Sequence, residues 1–312
     1  MMSALRAEGL TCRYGDRLAV DRVSFDVAQG DIFGFLGPNG AGKSTTARML
    51  TGFIPPTEGR AFVAGYDIAK HPSTARKHIG VVPEEANVYA DLTVWQNVML
   101  MAELHGVDKS RREAYGEELL QAFDLWTRVR QKGRELSKGL RQRLMLCMAL
   151  ISTPDILFLD EPTSGLDVAS TRLIREIILG MNRTHGMTIF ITTHNMEEAD
   201  QLCHRVAIIN CGRLTAIDSP LALRSRVASR RSVEVRFRET TVKQEDIFPD
   251  PTVEITAVTN GFRVFGPEPG LLAQEIVSRA NVLNLHVESI STLAPTLEEV
   301  FVSMTGAPHE IR

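Results

Sequence analysis

Residues 33–52 read FGFLGPNGAGKSTTARMLTG, with five glycines between an apolar run and a segment of helical pattern. Residues 37–44, GPNGAGKS, fit the pattern G-x-x-x-x-G-K-[ST], in which a glycine-rich loop binds nucleotide phosphates. The following helix would direct its positive N-terminal end at those phosphates. A glycine-rich turn beside a surface lysine is the alternative, and the rarity of the full pattern argues against it. We therefore expect nucleotide binding by Gly37, Pro38, Asn39, Gly40, Ala41, Gly42, Lys43, Ser44 and Thr45.

The stretch ILFLDEPTSGLD, residues 156–167, places two carboxylates at the end of an apolar strand. Alone, an Asp-Glu pair at a strand end is typical of a solvated turn. Beside a phosphate loop it predicts phosphoryl transfer, which requires positioning and neutralisation of charge. Lys43 would then reach the β- and γ-phosphates, while Ser44 and Asp160 would ligate Mg²⁺. Glu161 would orient or deprotonate the attacking water.

Composition excludes several classes of protein. The chain has 312 residues, 44% of them hydrophobic, a net charge of −3 and a pI near 6.3, so nucleic acid is not expected as its main partner. No two of its four cysteines form a C-x-x-C pair, which argues against a zinc site or a disulfide framework. We see neither a secretory signal nor an apolar run long enough to span a bilayer, and expect a cytoplasmic protein.

Strand-like runs alternate with helical segments through the first 210 residues, which predicts an α/β fold around a largely parallel sheet. The runs are VSFDV, IFGFLG, IGVVP, ILFLD, TIFITT and RVAIIN. Amphipathic helical patterns replace them over about residues 86–151, where Thr93 and Gln96 match a capping box. We expect a first domain over residues 1–224 with a helical subdomain at 86–151 inside it.

The pattern changes after residue 224, and residues 225–312 predict a small α+β domain. The runs RSVEVRFRE and TVEITAVTNGFRVFG alternate like half-buried strands, and Asn260-Gly261 is a two-residue hairpin signal. A helix over GLLAQEIVSRA, a strand over VLNLHVESI and a helix over TLEEVFVSM follow. Leu297, Val300, Phe301 and Met304 fall at helical spacing, so we expect this face to pack within its own domain, with an interface as the alternative.

Two further stretches complete a motif series. ELSKGLRQRL, residues 135–144, lies between the phosphate loop and the strand ending in Asp160, and ITTHNMEEAD, residues 191–200, follows that strand. In this order the motifs resemble those of the ATPase subunits of ABC transporters, over residues 4 to about 220. The resemblance implies a P-loop ATPase cassette that binds ATP and Mg²⁺. A guanine-reading N-K-x-D segment does not occur in the sequence, which disfavours a GTPase.

The resemblance also implies roles for individual residues. Ser137, Lys138 and Gly139 of the signature would contact the ATP held by a second ATPase subunit, although Ser137 also suits a helix N-cap. His194 would sense the γ-phosphate, with a purely structural histidine as the alternative. Tyr14 would stack on adenine, unless it is a core or surface tyrosine. Communication between paired sites would use Ser164, Gly165, Leu166 and Asp167.

The sequence departs from the family pattern at three positions. Glu84 replaces a usual glutamine, and we expect it near the catalytic site as a magnesium ligand or relay. Lys138 and Leu140 replace a common glycine and glutamine of the signature.

The C-terminal APTLEEVFVSMTG resembles the drug-resistance branch, whose type member supports daunorubicin export. This implies an exporter ATPase at the cytoplasmic face of the membrane, paired with a second copy and with separate permease subunits. The segment Asp91–His105 would be the docking surface for the permease. The rival hypothesis is a soluble ABC-type ATPase acting on nucleic acid or ribosomes, but the chain has neither the second cassette nor the long coiled coil typical of that class.

Overall fold

The computed structural model describes residues 3–85, 87–227, 230–239, 242–248 and 253–305. The chain divides into two compact units, Met1–Asp218 and Ser219–Arg312. The boundary expected at residue 224 lies inside the helix that opens the second unit, and it stays a prediction. Among the described residues, no helix combines the length and the hydropathy that a membrane span requires.

The first unit contains two sheets. The larger, six-stranded sheet has the order β10-β9-β3-β8-β7-β6, and the smaller one has the order β2-β1-β4-β5. Their strands are β1 Ser3–Tyr14, β2 Arg17–Ala28, β3 Ile32–Leu36, β4 Glu58–Val63, β5 Tyr66–Asp67, β6 Ile79–Val82, β7 Ile156–Asp160, β8 Thr188–Thr193, β9 Arg205–Asn210 and β10 Arg213–Asp218. All six predicted strand runs are confirmed.

The centre of the larger sheet is parallel and buried on both faces. Every residue of β3 and β8 is buried, as expected for central parallel strands covered by other layers. The rings of Phe33 and Phe190 stack with their centroids 5.9 Å apart, and Phe35 lies 5.6 Å from Phe190. Because β3, β8 and β7 are parallel neighbours, their carboxyl ends meet at one edge of the sheet, where loops of such sheets bind ligands.

Helices flank this sheet and fill the predicted helical segment. They are α1 Lys43–Leu50, α2 Pro72–Lys77, α3 Val94–Leu104, α4 Lys109–Ala122, α5 Lys138–Leu150, α6 Val168–His185 and α7 Met196–Leu202. The capping box of α3 is confirmed: Gln96 N donates to Thr93 Oγ1 at 3.1 Å, and Thr93 N donates to Gln96 Oε1 at 2.9 Å. These reciprocal bonds fix where α3 begins.

The second unit is an antiparallel sheet in the order β12-β13-β11-β14, with helices packed on it. Its elements are α8 Pro220–Ser225, β11 Ser232–Phe237, α9 Gln244–Ile247, β12 Ile255–Val258, β13 Gly261–Phe265, α10 Pro269–Val282, β14 Val287–Leu293 and α11 Leu297–Thr305. On α11, three of the four residues of the predicted apolar face, Leu297, Val300 and Phe301, are buried, and Met304 is half-buried.

Two local predictions for this unit need correction. The hairpin exists, but Val258 pairs with Gly261, so the turn is Thr259-Asn260 and the glycine belongs to the strand. A Cβ at Gly261 would lie 1.9 Å from Val235 O, so close approach of the neighbouring strand explains the glycine. The strand expected from residue 282 begins at Val287, because α10 continues to Val282.

Candidate active site

The phosphate loop joins β3 to α1 and packs directly against neighbouring backbone. A Cβ at Gly37 would lie 2.3 Å from Ile209 O, and one at Gly42 would lie 2.6 Å from Ala19 O. Gly42 also has a φ of 107° where it caps α1, a conformation that glycine adopts without strain. These glycines therefore fit the loop against β2 and β9 and leave the N-terminus of α1 open to an anion.

Lys43, the first residue of α1, lies buried across this loop. Its Nζ donates to Gly37 O at 2.8 Å and to Pro38 O at 3.3 Å. The same Nζ lies 3.4 Å from Glu161 Oε1, and both side chains are less than a tenth exposed. The lysine therefore connects the phosphate loop to the carboxylate at the end of β7.

Glu161 stands where β7 ends, beside the end of β8. Its amide donates to Thr192 O at 2.9 Å, which continues the pairing of the two strands for one residue. Its φ of 49° is rare for a glutamate, and such strained backbone occurs often at functional sites. Glu161 Oε2 lies 2.9 Å from His194 Nδ1, and the His194 side chain is half exposed. Lys43, Glu161 and His194 thus form one chain of contacts.

A second polar cluster surrounds Asp160. The Ser44 hydroxyl donates to Asp160 Oδ1 at 3.3 Å, so these two predicted magnesium ligands lie side by side. The Thr192 hydroxyl also donates to Asp160 Oδ1. Thr192 was not predicted, although two threonines ending the apolar run TIFITT were a signal. This hydrogen bond orients the carboxylate toward α1.

A cleft of about 380 Å³ lies beside these residues. Most of the predicted nucleotide-binding residues line it, namely Tyr14, Asn39, Gly40, Gly42, Lys43, Ser44 and Thr45, whereas Gly37, Pro38 and Ala41 do not. The predicted catalytic residues Glu84 and Glu161 line it too. Glu84, which follows β6, therefore reaches the same cleft as Ser44 and Glu161. Tyr14 is 51% exposed, which excludes the core alternative and leaves its ring available for stacking.

Arg17 also lines the cleft and was missed by the sequence reasoning. It pairs with Tyr14 across the hairpin of β1 and β2, so the two side chains lie on the same face. A Cβ placed on Gly40 would lie 3.8 Å from Arg17 Nη2. Among the described residues Arg17 forms no ion pair, so its charge remains available to an anion in the cleft. The sequence did offer a signal for Arg17, because it lies three residues after Tyr14, across a two-residue turn.

The signature residues are not among those that line the cleft of their own chain. Ser137 caps α5 by accepting from Leu140 N at 3.3 Å, which agrees with the N-cap expectation and leaves the role toward ATP untested. A Cβ at Gly139 would lie 2.5 Å from Ser170 Oγ, and one at Gly165 would lie 2.4 Å from Lys138 Nζ. The start of α5 therefore packs against the segment that precedes and begins α6.

Asp167 closes that segment as the N-cap of α6. Ser170 donates to the Asp167 carboxylate from its amide at 2.9 Å and from its hydroxyl at 2.7 Å. These hydrogen bonds, the backbone one first, lower the pKa of Asp167 below its ordinary value. The segment Ser164–Asp167 is thereby fixed at one end, next to the signature.

Comparison with known proteins decides the family. The family model described as ABC transporter matches residues 20–164. The linearmycin resistance ATP-binding protein LnrL of Bacillus subtilis is 32% identical over 319 residues, covering 97% of this chain and 98% of that protein. The chain belongs to the ABC transporter ATP-binding proteins. It carries the phosphate loop and the Asp160-Glu161 pair in one site.

Other relatives cover this ABC ATPase with similar completeness. The Nod factor export ATP-binding protein I of Paraburkholderia xenovorans is 35% identical, covering 97% of each chain. The daunorubicin resistance ATP-binding protein DrrA3 of Streptomyces coeruleorubidus is 33% identical, covering 99% of this chain and 98% of that protein. A solved structure of cbiO1 from Clostridium perfringens, part of the ABC transporter complex cbiONQ, superposes with a TM-score of 0.67 at 25% identity. It covers 72% of this chain and 92% of its own.

Proposed function

We propose that this ABC ATPase hydrolyses ATP to energise export of a substrate through separate membrane subunits. The observation that carries the proposal is the chain of contacts from the buried Lys43 and Glu161 to His194, beside the nucleotide cleft. Relatives named for linearmycin resistance, daunorubicin resistance and Nod factor export align with nearly the whole chain, which supports export as its direction. The membrane subunits would recognise the exported substrate.

ATP would occupy the cleft with its adenine against Tyr14 and its phosphates in the loop Gly37–Gly42. The residues at this position suit a metal ion, because the Ser44 hydroxyl and Asp160 Oδ1 lie only 3.3 Å apart. Hydroxyl and carboxylate oxygens suit Mg²⁺, and Glu84 on the same cleft could add a third oxygen ligand. Bound there, Mg²⁺ would neutralise charge on the phosphates.

Hydrolysis requires that Glu161 be released from its contact with Lys43. Phosphates in the loop would attract Lys43 Nζ, because a doubly charged γ-phosphate competes well with one carboxylate. Glu161 would then be free to orient and deprotonate an attacking water. His194 Nδ1, which lies 2.9 Å from Glu161 Oε2, would hold this carboxylate in place. Nucleotide binding thus prepares the base for catalysis.

A second ATPase subunit would complete each site. The signature residues Ser137, Lys138 and Gly139 begin α5, a helix whose first turn contains no acidic residue. Such a helix N-terminus favours a phosphate, and in this fold it would meet the ATP held by the partner. Because Lys138 packs against Gly165 of the segment Ser164–Asp167, that segment would sense closure of the pair. We propose a homodimer.

The membrane partner would dock beside Glu84. An apolar groove of about 820 Å³ in the first unit includes Phe53, Pro83, Met101 and His105 among its lining residues. The Phe53 side chain is 70% exposed, which is unusual for phenylalanine and suits a protein contact. The groove includes part of the predicted docking segment Asp91–His105. Docking there would place the ATPase at the cytoplasmic face of the membrane.

The experiment is co-purification with the six-span membrane protein expected to be encoded beside this gene. We expect a detergent-solubilised complex whose ATPase activity responds to the exported compound. Phe53→Asp should abolish co-purification at an unchanged melting temperature. Leu221→Asp, similarly exposed on α8 and outside both the groove and the docking segment, should leave the complex intact. Association with ribosomes or nucleic acid, and none with a membrane protein, would overturn the proposal.

A further inference from the structure

Glu198 is a buried carboxylate that the mechanism above does not use. It lies in the first turn of α7, four residues after His194, and is only 1% exposed. Burying a carboxylate is costly unless hydrogen bonds satisfy it. A residue kept at that cost requires an explanation from its contacts.

A capping box is the simplest structural explanation, and the contacts contradict it. Asn195 caps α7, and Glu198 occupies the third helical position, where a capping box would return its carboxylate to Asn195 N. Asn195 N instead donates to Thr193 Oγ1 at 3.0 Å. The Glu198 carboxylate is therefore available for contacts beyond its own helix.

Those contacts join the two loops that carry the catalytic pair. Thr163 Oγ1 donates to Glu198 Oε1 at 2.7 Å, and Glu198 lies in the first turn of the helix that follows the loop of His194. Thr163 comes two residues after Glu161, and Glu198 comes four residues after His194. Thr163 and Glu198 are both buried, so solvent does not compete for this hydrogen bond.

We propose that Glu198 is a positioning residue for ATP hydrolysis. By accepting the hydrogen bond of Thr163, it holds the loop after β7 against the loop after β8 and the start of α7. The distance between the general base and its histidine partner is set by those two loops. The inference rests on the proposed function, because it assigns the hydrolytic step to Glu161 and His194.

The surroundings of Glu198 combine burial with nearby charges. Burial, as the main cause, raises the pKa of Glu198, and the nearby Glu161 acts in the same direction. The hydrogen bond from Thr163 and the charge of Arg175 on α6 oppose this rise. Arg175 itself donates to Gln201 Oε1 at 2.7 Å, one turn further along α7. The hydrogen bond from Thr163 therefore stabilises a carboxylate that burial alone would disfavour.

The test compares steady-state ATPase kinetics of matched variants. Glu198→Ala should lower kcat about tenfold to a hundredfold with little change in the KM for ATP, because small displacements of catalytic groups cost that much. Glu198→Gln keeps an acceptor for the Thr163 hydroxyl and should retain kcat within about threefold. Glu197→Ala is the control, since that neighbouring side chain is exposed and bonds to Gln201. A kcat equal to wild type in folded Glu198→Ala would overturn the inference.

Thr163→Val tests the same hydrogen bond from the other side and preserves side-chain shape. We expect a similar loss of kcat, and no further loss when it is combined with Glu198→Ala, because both changes remove one interaction. If the two losses of kcat instead multiplied in the double variant, the two residues would not act through one shared hydrogen bond. If Glu198→Ala does not fold, a wild-type kcat in Thr163→Val overturns the inference.

Glu161→Gln, measured in parallel, separates this inference from the proposed function. If Glu161→Gln hydrolyses ATP normally, the catalytic assignment fails. If it is inactive while the Glu198 and Thr163 variants are unaffected, only the positioning role fails.

Discussion

Lys43 Nζ and Glu161 Oε1 lie 3.4 Å apart, and both side chains are almost entirely buried. The pair joins the residue that would bind the phosphates to the residue that would activate water. A buried ion pair is expensive to break by removing one partner, because the other charge is left without compensation. Nucleotide binding avoids that cost by offering Lys43 a new anion. The apo site therefore holds its base and its phosphate ligand in a mutual contact that ATP would replace.

Lys43→Ala should abolish this exchange. Without the ammonium, the phosphates lose their buried cation, so we expect the ATPase kcat/KM to fall by at least about a hundredfold. The measurement is phosphate release against ATP concentration. Lys70→Ala removes an exposed lysine and serves as the control. Undiminished activity in Lys43→Ala would refute the phosphate-loop assignment.

Arg17→Ala should weaken ATP binding about threefold to tenfold, because one charge-assisted hydrogen bond to a phosphate would be lost. Binding can be followed by calorimetry with ATP, ADP and AMP, and the effect should shrink as phosphates are removed. Arg13→Ala is a matched control, since Arg13 lies on the same hairpin and pairs with Leu18 rather than with Tyr14. Equal effects of the two variants would exclude a specific contact from Arg17.

The sequence predicted the parts of the site that local motifs encode. Lys43, Ser44, Asp160 and Glu161 each follow or end an apolar strand run, and parallel strands bring such ends together. The motif order alone therefore predicted their proximity. It could not predict distances, because these depend on how each loop closes.

Contacts between side chains from distant segments were beyond the sequence reasoning. The bond from Thr163 to Glu198 joins residues 35 positions apart, and neither belongs to a periodic pattern that reveals the other. Arg17, by contrast, is only three residues from Tyr14, and it was missed because its pairing with Tyr14 depends on the register of β1 and β2. The early start predicted for β14 has a similar cause, since apolar residues after position 282 suit a helix end as well as a strand.

Glu84→Gln restores the family's usual residue and removes one negative charge from the cleft. If Glu84 contributes to the metal site, the Mg²⁺ concentration for half-maximal ATPase activity should rise about threefold or more, because a neutral amide is a weaker ligand. The measurement is a Mg²⁺ titration at saturating ATP. Glu85→Gln, at an exposed neighbouring position, should behave as wild type. An unchanged titration for Glu84→Gln would exclude metal binding by this residue.

Glu198→Gln should change how stability depends on pH. Burial raises the pKa of Glu198 above its ordinary value of 4.5. As pH rises, the unfolded chain therefore loses the proton of this carboxyl group before the folded chain does. Stability from this group is thus lost as pH rises from about 4.5 through the raised native pKa. The variant cannot ionise, so its melting temperature relative to wild type should increase as pH rises from about 4.5 until the native pKa of Glu198 is passed. A pH-independent difference would contradict this.

The most direct test of the account is ATP binding, hydrolysis and oligomeric state measured together for Glu161→Gln. The amide preserves the shape of the side chain and cannot accept a proton from water, so hydrolysis should fall by about a hundredfold or more. ATP binding should persist, and with ATP and Mg²⁺ the variant should accumulate as a closed dimer in light scattering. Hydrolysis close to wild type would contradict the role of Glu161 as the catalytic base.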